Sequence, residues 1–79
     1  MSSAMTIKWY RTTGNLSRGT TALDGRLVYV VLTRYVFGWQ WAIETYHGTW
    51  VGGSHVYFEE RKAAERDAVR WMEKKEKVK

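Results

Sequence analysis

The sequence predicts an α+β fold, a three- to four-stranded antiparallel sheet packed against one C-terminal α-helix. Two observations carry that expectation. Residues 6–58 contain runs dense in Val, Tyr, Trp, Ile and Thr, separated by Gly-bearing turns, as a pleated and half-buried chain requires. From Glu59 the grammar changes to EERKAAERDAVRWMEKKEKVK, a charged stretch with an apolar face at helical spacing. At 79 residues the chain has room for a single domain, 1–79, with no internal repeat and no proline to mark a linker.

The elements follow in order. Residues 1–5 are a small polar lead, expected to fray. Residues 6–13 (TIKWYRTT) alternate and read as a strand; Lys8 and Arg11 suit it to a sheet edge, where charge deters pairing with other chains. Residues 14–25 (GNLSRGTTALDG) are rich in Gly, Ser, Thr and Asn and read as a loop, ending in the turn dipeptide Asp24-Gly25. Residues 26–58 read as a three-stranded meander. Its first strand is RLVYVVLTRYVF, punctuated by Gly38. The second, WQWAIETY, alternates strictly. The third, WVGGSHVYF, is broken by Gly52-Gly53, where a bulge or kink is expected. Residues 59–77 read as the helix, with acid at its start and base at its end countering the dipole. Ala64, Ala68, Trp71 and Met72 form its apolar face.

One helix, about 10 Å wide, covers only one side of such a sheet. Both parities of residues 26–37 are apolar: Leu27, Tyr29, Val31, Tyr35 and Phe37 on one, Val28, Val30, Leu32 and Val36 with Arg34 on the other. The register at Gly38 decides which set joins Trp39, Trp41 and Ile43, and the sequence leaves it open. With either register, large apolar side chains point away from the helix, to be covered by a second copy, by a partner, or by residues 6–25 folded over them. The expected partner-binding face comprises Arg34, Tyr35, Phe37, Trp39, Trp41 and Tyr57, residue types that dominate binding hot spots.

Composition points to an anionic partner. There are 13 Lys and Arg against 8 Asp and Glu, a formal net charge of +5, and aromatics make up 15% of the chain. Lys62, Arg66, Arg70 and Lys74 recur at i, i+4 along one helix face, relieved in part by Glu59, Asp67 and Glu73. The stripe reads as a solvated helix face or as a ridge that meets phosphates or an acidic surface.

No catalytic constellation is legible. Without cysteine there is no disulfide, thiolate zinc site or Cys nucleophile, and a reducing, cytoplasmic setting is the default expectation. His47 and His55 lack neighbouring carboxylates beyond Glu44 for a metal site, Ser17 and Ser54 lack a nucleophile setting, and Gly48, Gly52 and Gly53 do not form a phosphate loop. No cofactor, metal or catalytic residue is expected, and no run of residues is long and apolar enough to span a membrane.

The segment from Arg26 to Trp71, with GWQWAIE, a Gly turn, a strand ending in Phe58 and a helix bearing KAAERDAVRW, resembles the β-β-β-α DNA-binding domains of plant ethylene-response factors and integrase arm-binding domains. That resemblance implies a sheet docked in the major groove, with Arg34, Trp39 and Trp41 as the contacting residues. The strand-to-helix order is also similar to the last half of a double-stranded-RNA-binding domain, although that family has consecutive lysines where this chain has Glu59-Glu60. In size, lack of cysteine and lack of catalytic motifs the chain resembles small phage proteins that block host defence, the anti-CRISPR proteins among them. The leading expectation is therefore a non-enzymatic, phage-type inhibitor that occupies a surface of a host protein or ribonucleoprotein. Direct DNA or RNA binding is the alternative, and a structural homodimer a further one.

Overall fold

The structure, a computed structural model, describes residues 6–77; the expected lead at 1–5 lies outside them. Five strands and one helix follow in chain order: β1 (Lys8–Thr12), β2 (Leu16–Leu23), β3 (Arg26–Tyr35), β4 (Gly38–Thr45), β5 (Trp50–Gly53) and α1 (Arg61–Lys77). The strands form one antiparallel meander in the order β1-β2-β3-β4-β5. The α+β class and the C-terminal helix stand as expected, but the sheet has five strands rather than three or four.

The extra strand is β2, which corrects the reading of residues 14–25 as a loop. It pairs with β3 over its whole length, from Leu16 opposite Thr33 to Leu23 opposite Arg26. Its small residues are there for packing. A Cβ on Gly19 would lie 2.7 Å from both Ile7 Cγ2 and Trp9 Cε3, so the strand is thinned where β1 side chains cross it. The dipeptide Asp24-Gly25 closes the β2–β3 hairpin as expected. Both residues have positive φ, 60° and 80°, as a type I′ turn demands.

β3 ends at Tyr35 rather than Phe37, because Val36 and Phe37 form the two-residue connection to β4, where Tyr35 faces Gly38. Gly38 has φ 132°, and a Cβ there would meet the Phe58 carbonyl at 2.6 Å. The third run of the meander is split. Its first part is β5; its end returns as a single bridge in which Trp39 and Phe58 exchange backbone hydrogen bonds of 2.7 and 2.8 Å. The expected irregularity is present next to the glycines: Ile43 faces Gly52 but Glu44 faces Trp50, which leaves Val51 as the extra, bulged residue.

The register at Gly38 places Val28, Val30 and Leu32 on the same side as Trp39, Trp41 and Ile43, and α1 closes that side with Ala64, Ala68 and Met72. Leu32, Ile43 and Met72 are fully buried. Each contributes about 1.5–3 kcal/mol relative to exposure. The small side chains Ala64 and Ala68 let the helix sit close to the two tryptophans. Trp41 Nε1 donates to Asp67 Oδ2 at 2.8 Å, which satisfies the buried indole and fixes the helix to the sheet. Gly52 completes the fit: a Cβ there would lie 2.5 Å from Trp71 Cζ2. The helix begins at Arg61, with the Glu60 carbonyl accepting from the Ala63 and Ala64 amides. Glu59 and Glu60 therefore precede its first turn.

Candidate binding face

The side of the sheet away from α1 is open. Pairing lines up Arg18, Val31 and Ala42 across β2, β3 and β4, and next to them Thr20, Tyr29 and Glu44. β1 adds to this side through Lys8 and Tyr10, which alternate with Trp9 on the covered side, and its ladder is interrupted at Tyr10. Trp9 faces Gly19 and Arg11 faces Arg18, so Tyr10 is the extra residue, and its side chain lies on the open face with that of Tyr29. Three tyrosines consequently form a row across the sheet. The Tyr10 and Tyr29 rings meet edge to face at 6.4 Å, and Tyr29 stacks with Tyr46, just beyond β4, at 6.5 Å and 15°. Tyr10 and Tyr46 are more than half exposed, and Trp50, opposite Glu44 on β5, is 64% exposed.

Arg18 sits inside this row. Its Nε donates to the Tyr10 hydroxyl at 3.2 Å, and its guanidinium lies 4.0 Å from Glu44. The Tyr10 hydrogen bond, aided by the nearby Glu44 carboxylate, pushes the Arg18 pKa above its ordinary value. Lys8 and Arg11 add two exposed cations along β1. The face thus combines flat, polar-tipped aromatic rings with a surplus of positive charge.

The residues expected from the sequence fall into three places. Trp39 and Trp41 are corrected: they are 8% and 3% exposed, under the helix, and reach no partner. They turn inward because their alternation continues the Val28, Val30 and Leu32 side. Arg34 faces Trp39 and is exposed at the end of the sheet. Cation–π pairs place Arg61 over Trp9 at 5.3 Å and Lys75 over Trp71 at 5.2 Å. Tyr35, Phe37 and Tyr57 do come together at the β3–β4 tip, with Tyr57 6.1 Å from Tyr35 and 5.6 Å from Phe37. Val36 beside them is 96% exposed and Phe37 77%.

Lys62, Arg66, Arg70 and Lys74 are all exposed on the outer side of α1. The sheet lies between them and the tyrosine row, so a short ligand on one does not touch the other. Asp67, expected to relieve the stripe's repulsion, is instead the acceptor for Trp41. Sequence reasoning missed Tyr10, Arg18, Tyr29 and Tyr46 as site residues. The alternation of Arg18 and Thr20 with Ser17 and Gly19 was the available signal for β2, obscured by loop-like composition.

Among the described residues no group of three or more His, Cys, Asp or Glu is placed to hold a metal ion. Among the same residues no helix is long and apolar enough to cross a membrane. No protein-family model, curated protein or solved structure matches this chain.

Proposed function

We propose that the protein is a non-enzymatic binding module that holds single-stranded nucleic acid on its helix-free sheet face. The observation that carries this reading is the row Tyr10–Tyr29–Tyr46 with Arg18 set into it. Bases stack on exposed aromatic rings irrespective of their sequence, at about 1–3 kcal/mol per base. Arg18, Lys8 and Arg11 supply cations for the backbone, in keeping with the net charge of +5. A duplex hides the faces of its bases, so the row favours single strands. Major-groove reading by Trp39 and Trp41, the form implied by the resemblance to β-β-β-α domains, has no support from residues buried beneath a helix.

Anisotropy titrations of labelled single strands and duplexes over a range of salt test the proposal. Single strands are expected to bind more tightly than duplexes, with an affinity that falls steeply as salt rises, and Tyr29→Ala is expected to weaken binding about tenfold. Absence of binding to any single strand at low salt overturns it.

A second reading is favoured by one other observation, the exposed apolar tip of Tyr35, Val36, Phe37 and Tyr57. Hairpin turns are ordinarily polar, and large exposed aromatics at a tip match the anchors of protein–protein contacts. On this reading the tip inserts into a host protein or ribonucleoprotein, in the manner of a phage-type, anti-CRISPR-like inhibitor. Capture of the same partner by the wild type and by Phe37→Ser counts against it.

A further inference from the structure

Glu44 is the one acid in the five strands, and it stands on the open face. It is paired with Tyr29 on β3 and with Trp50 on β5, so a ring lies beside it on each neighbouring strand. Paired residues have their Cβ atoms about 5 Å apart, within reach of both rings. The Trp50 ring lies over Gly53, whose Cβ position is 3.4 Å from Trp50 Nε1 and 3.5 Å from Cζ2. The indole thus rests on the sheet beside Glu44 and leaves its other side exposed. Arg18 reaches the same carboxylate from across β3. Its Nε donates to Tyr10, and its Nη2 lies 4.0 Å from Glu44 Oε1, longer than a hydrogen bond. A carboxylate and a guanidinium therefore stand side by side, each about a third exposed, without closing on one another.

We propose that Glu44 and Arg18 form a guanine-selecting site within the open face. The inference rests on the single-strand reading above and names the base that the face prefers. A carboxylate on this face repels phosphates, so it favours a bound strand only by accepting from a base. Its two oxygens followed by the Arg18 guanidinium offer acceptor, acceptor, donor. The Watson–Crick edge of guanine offers N2–H, N1–H and O6, which is donor, donor, acceptor in the matching order. Adenine and cytosine place one exocyclic donor next to a ring acceptor. Thymine and uracil place one ring donor between two acceptors. Each of these sets a lone pair against the carboxylate. Guanine alone meets both oxygens at once, a charge-assisted bidentate contact. The guanine ring stacks on Trp50, and Glu44 on the adjacent strand meets its edge.

The test compares labelled thymine strands of one length on the full chain at one salt concentration, carrying guanine, hypoxanthine or adenine at the same isolated positions. All three are purines and stack over similar areas, so differences among them report the edge. The guanine strand is expected to bind about tenfold more tightly than the adenine strand. Hypoxanthine, which keeps N1–H and O6 but lacks the N2 amine, is expected to fall between them. Gln presents one acceptor and one N–H donor where the carboxylate presents two acceptors. Glu44→Gln is therefore expected to erase the guanine-to-adenine ratio while holding the adenine strand as tightly as the wild type or more so, since a negative charge is gone. Tyr29→Ala is expected to weaken all three strands. Glu44 is half-buried and Gln nearly isosteric, so the variant is expected to unfold at the wild-type temperature, which circular dichroism checks. Equal binding of the guanine and adenine strands by the wild type overturns the guanine site and leaves the open-face reading standing. A guanine preference that survives in Glu44→Gln also overturns it. Failure of every strand to bind overturns both.

Discussion

The two faces of this one sheet are built from the same residue types to opposite ends. On the covered face Trp39 and Trp41 lie flush with Val30, Leu32 and Ile43 beneath a helix that brings only small side chains at Ala64 and Ala68. On the open face Tyr10 and Tyr46 are more than half exposed with the half-buried Tyr29 between them, and Arg18 and Glu44 are paired between the strands. The difference lies in the polar tip. The buried indole of Trp41 needs a single acceptor, which Asp67 provides, whereas tyrosine hydroxyls and a guanidinium remain hydrated while offering flat apolar surface. Aromatic content by itself therefore does not separate core from site; the partner of each ring's polar group does.

Substitutions on each side sharpen the contrast. The largest effect is expected on the covered face, where Trp41→Ala removes a buried ring and strands Asp67, a loss of about 3–5 kcal/mol in urea unfolding. Gly52→Ala, which drives a methyl group into Trp71, is expected to cost about 1–3 kcal/mol in the same assay. Across the sheet, Tyr29→Ala is expected to change stability by about 1 kcal/mol or less, its main effect being on ligand affinity. A mutant as unstable as Trp41→Ala would mean that the row is structural rather than a binding surface. Smaller still is Ser17→Ala. The Ser17 hydroxyl is fully buried, with no hydrogen-bond partner among the described residues, and its removal is expected to raise stability by about 1 kcal/mol or leave it unchanged. The smallest effect is expected from Lys62, Arg66, Arg70 and Lys74 changed together to Ala. These face away from the row, so the salt slope of single-strand binding should stay near the wild-type value, while loss of Lys8 and Arg11 should lower it by about one per phosphate contact. A slope that collapses in the helix variant instead would move the binding surface to the helix.

Much of the fold was legible because periodicity is local. The strict alternation of Trp39, Trp41 and Ile43, the Asp24-Gly25 turn, and the helical spacing of Ala64, Ala68 and Met72 each follow from a few neighbouring residues. What was not legible depended on distant chain. Gly19 looks like a loop residue until Ile7 and Trp9 are laid across it, and its lack of a side chain is then what the strand needs. The same holds for the site. Whether Trp41 faces the helix or the solvent is set by a single-residue register at Val36-Phe37, and one step there exchanges the two faces of β4. Tyr10 follows the alternation of Lys8 and Trp9 to the open face, but the irregularity that sets Arg11 rather than Tyr10 opposite Arg18 is one that no alternation rule anticipates.

Those two interrupted ladders, at Tyr10 on β1 and Val51 on β5, fall on the two outermost strands of the meander. A sheet so rich in Val, Tyr and Trp would otherwise present two straight borders to its neighbours, the template on which fibrils grow. Here one border is kinked and charged and the other is four residues long, so a concentrated solution of the protein should stay dispersed and dye-negative. The same kink that sets Arg11 opposite Arg18 also guards the molecule against its own copies.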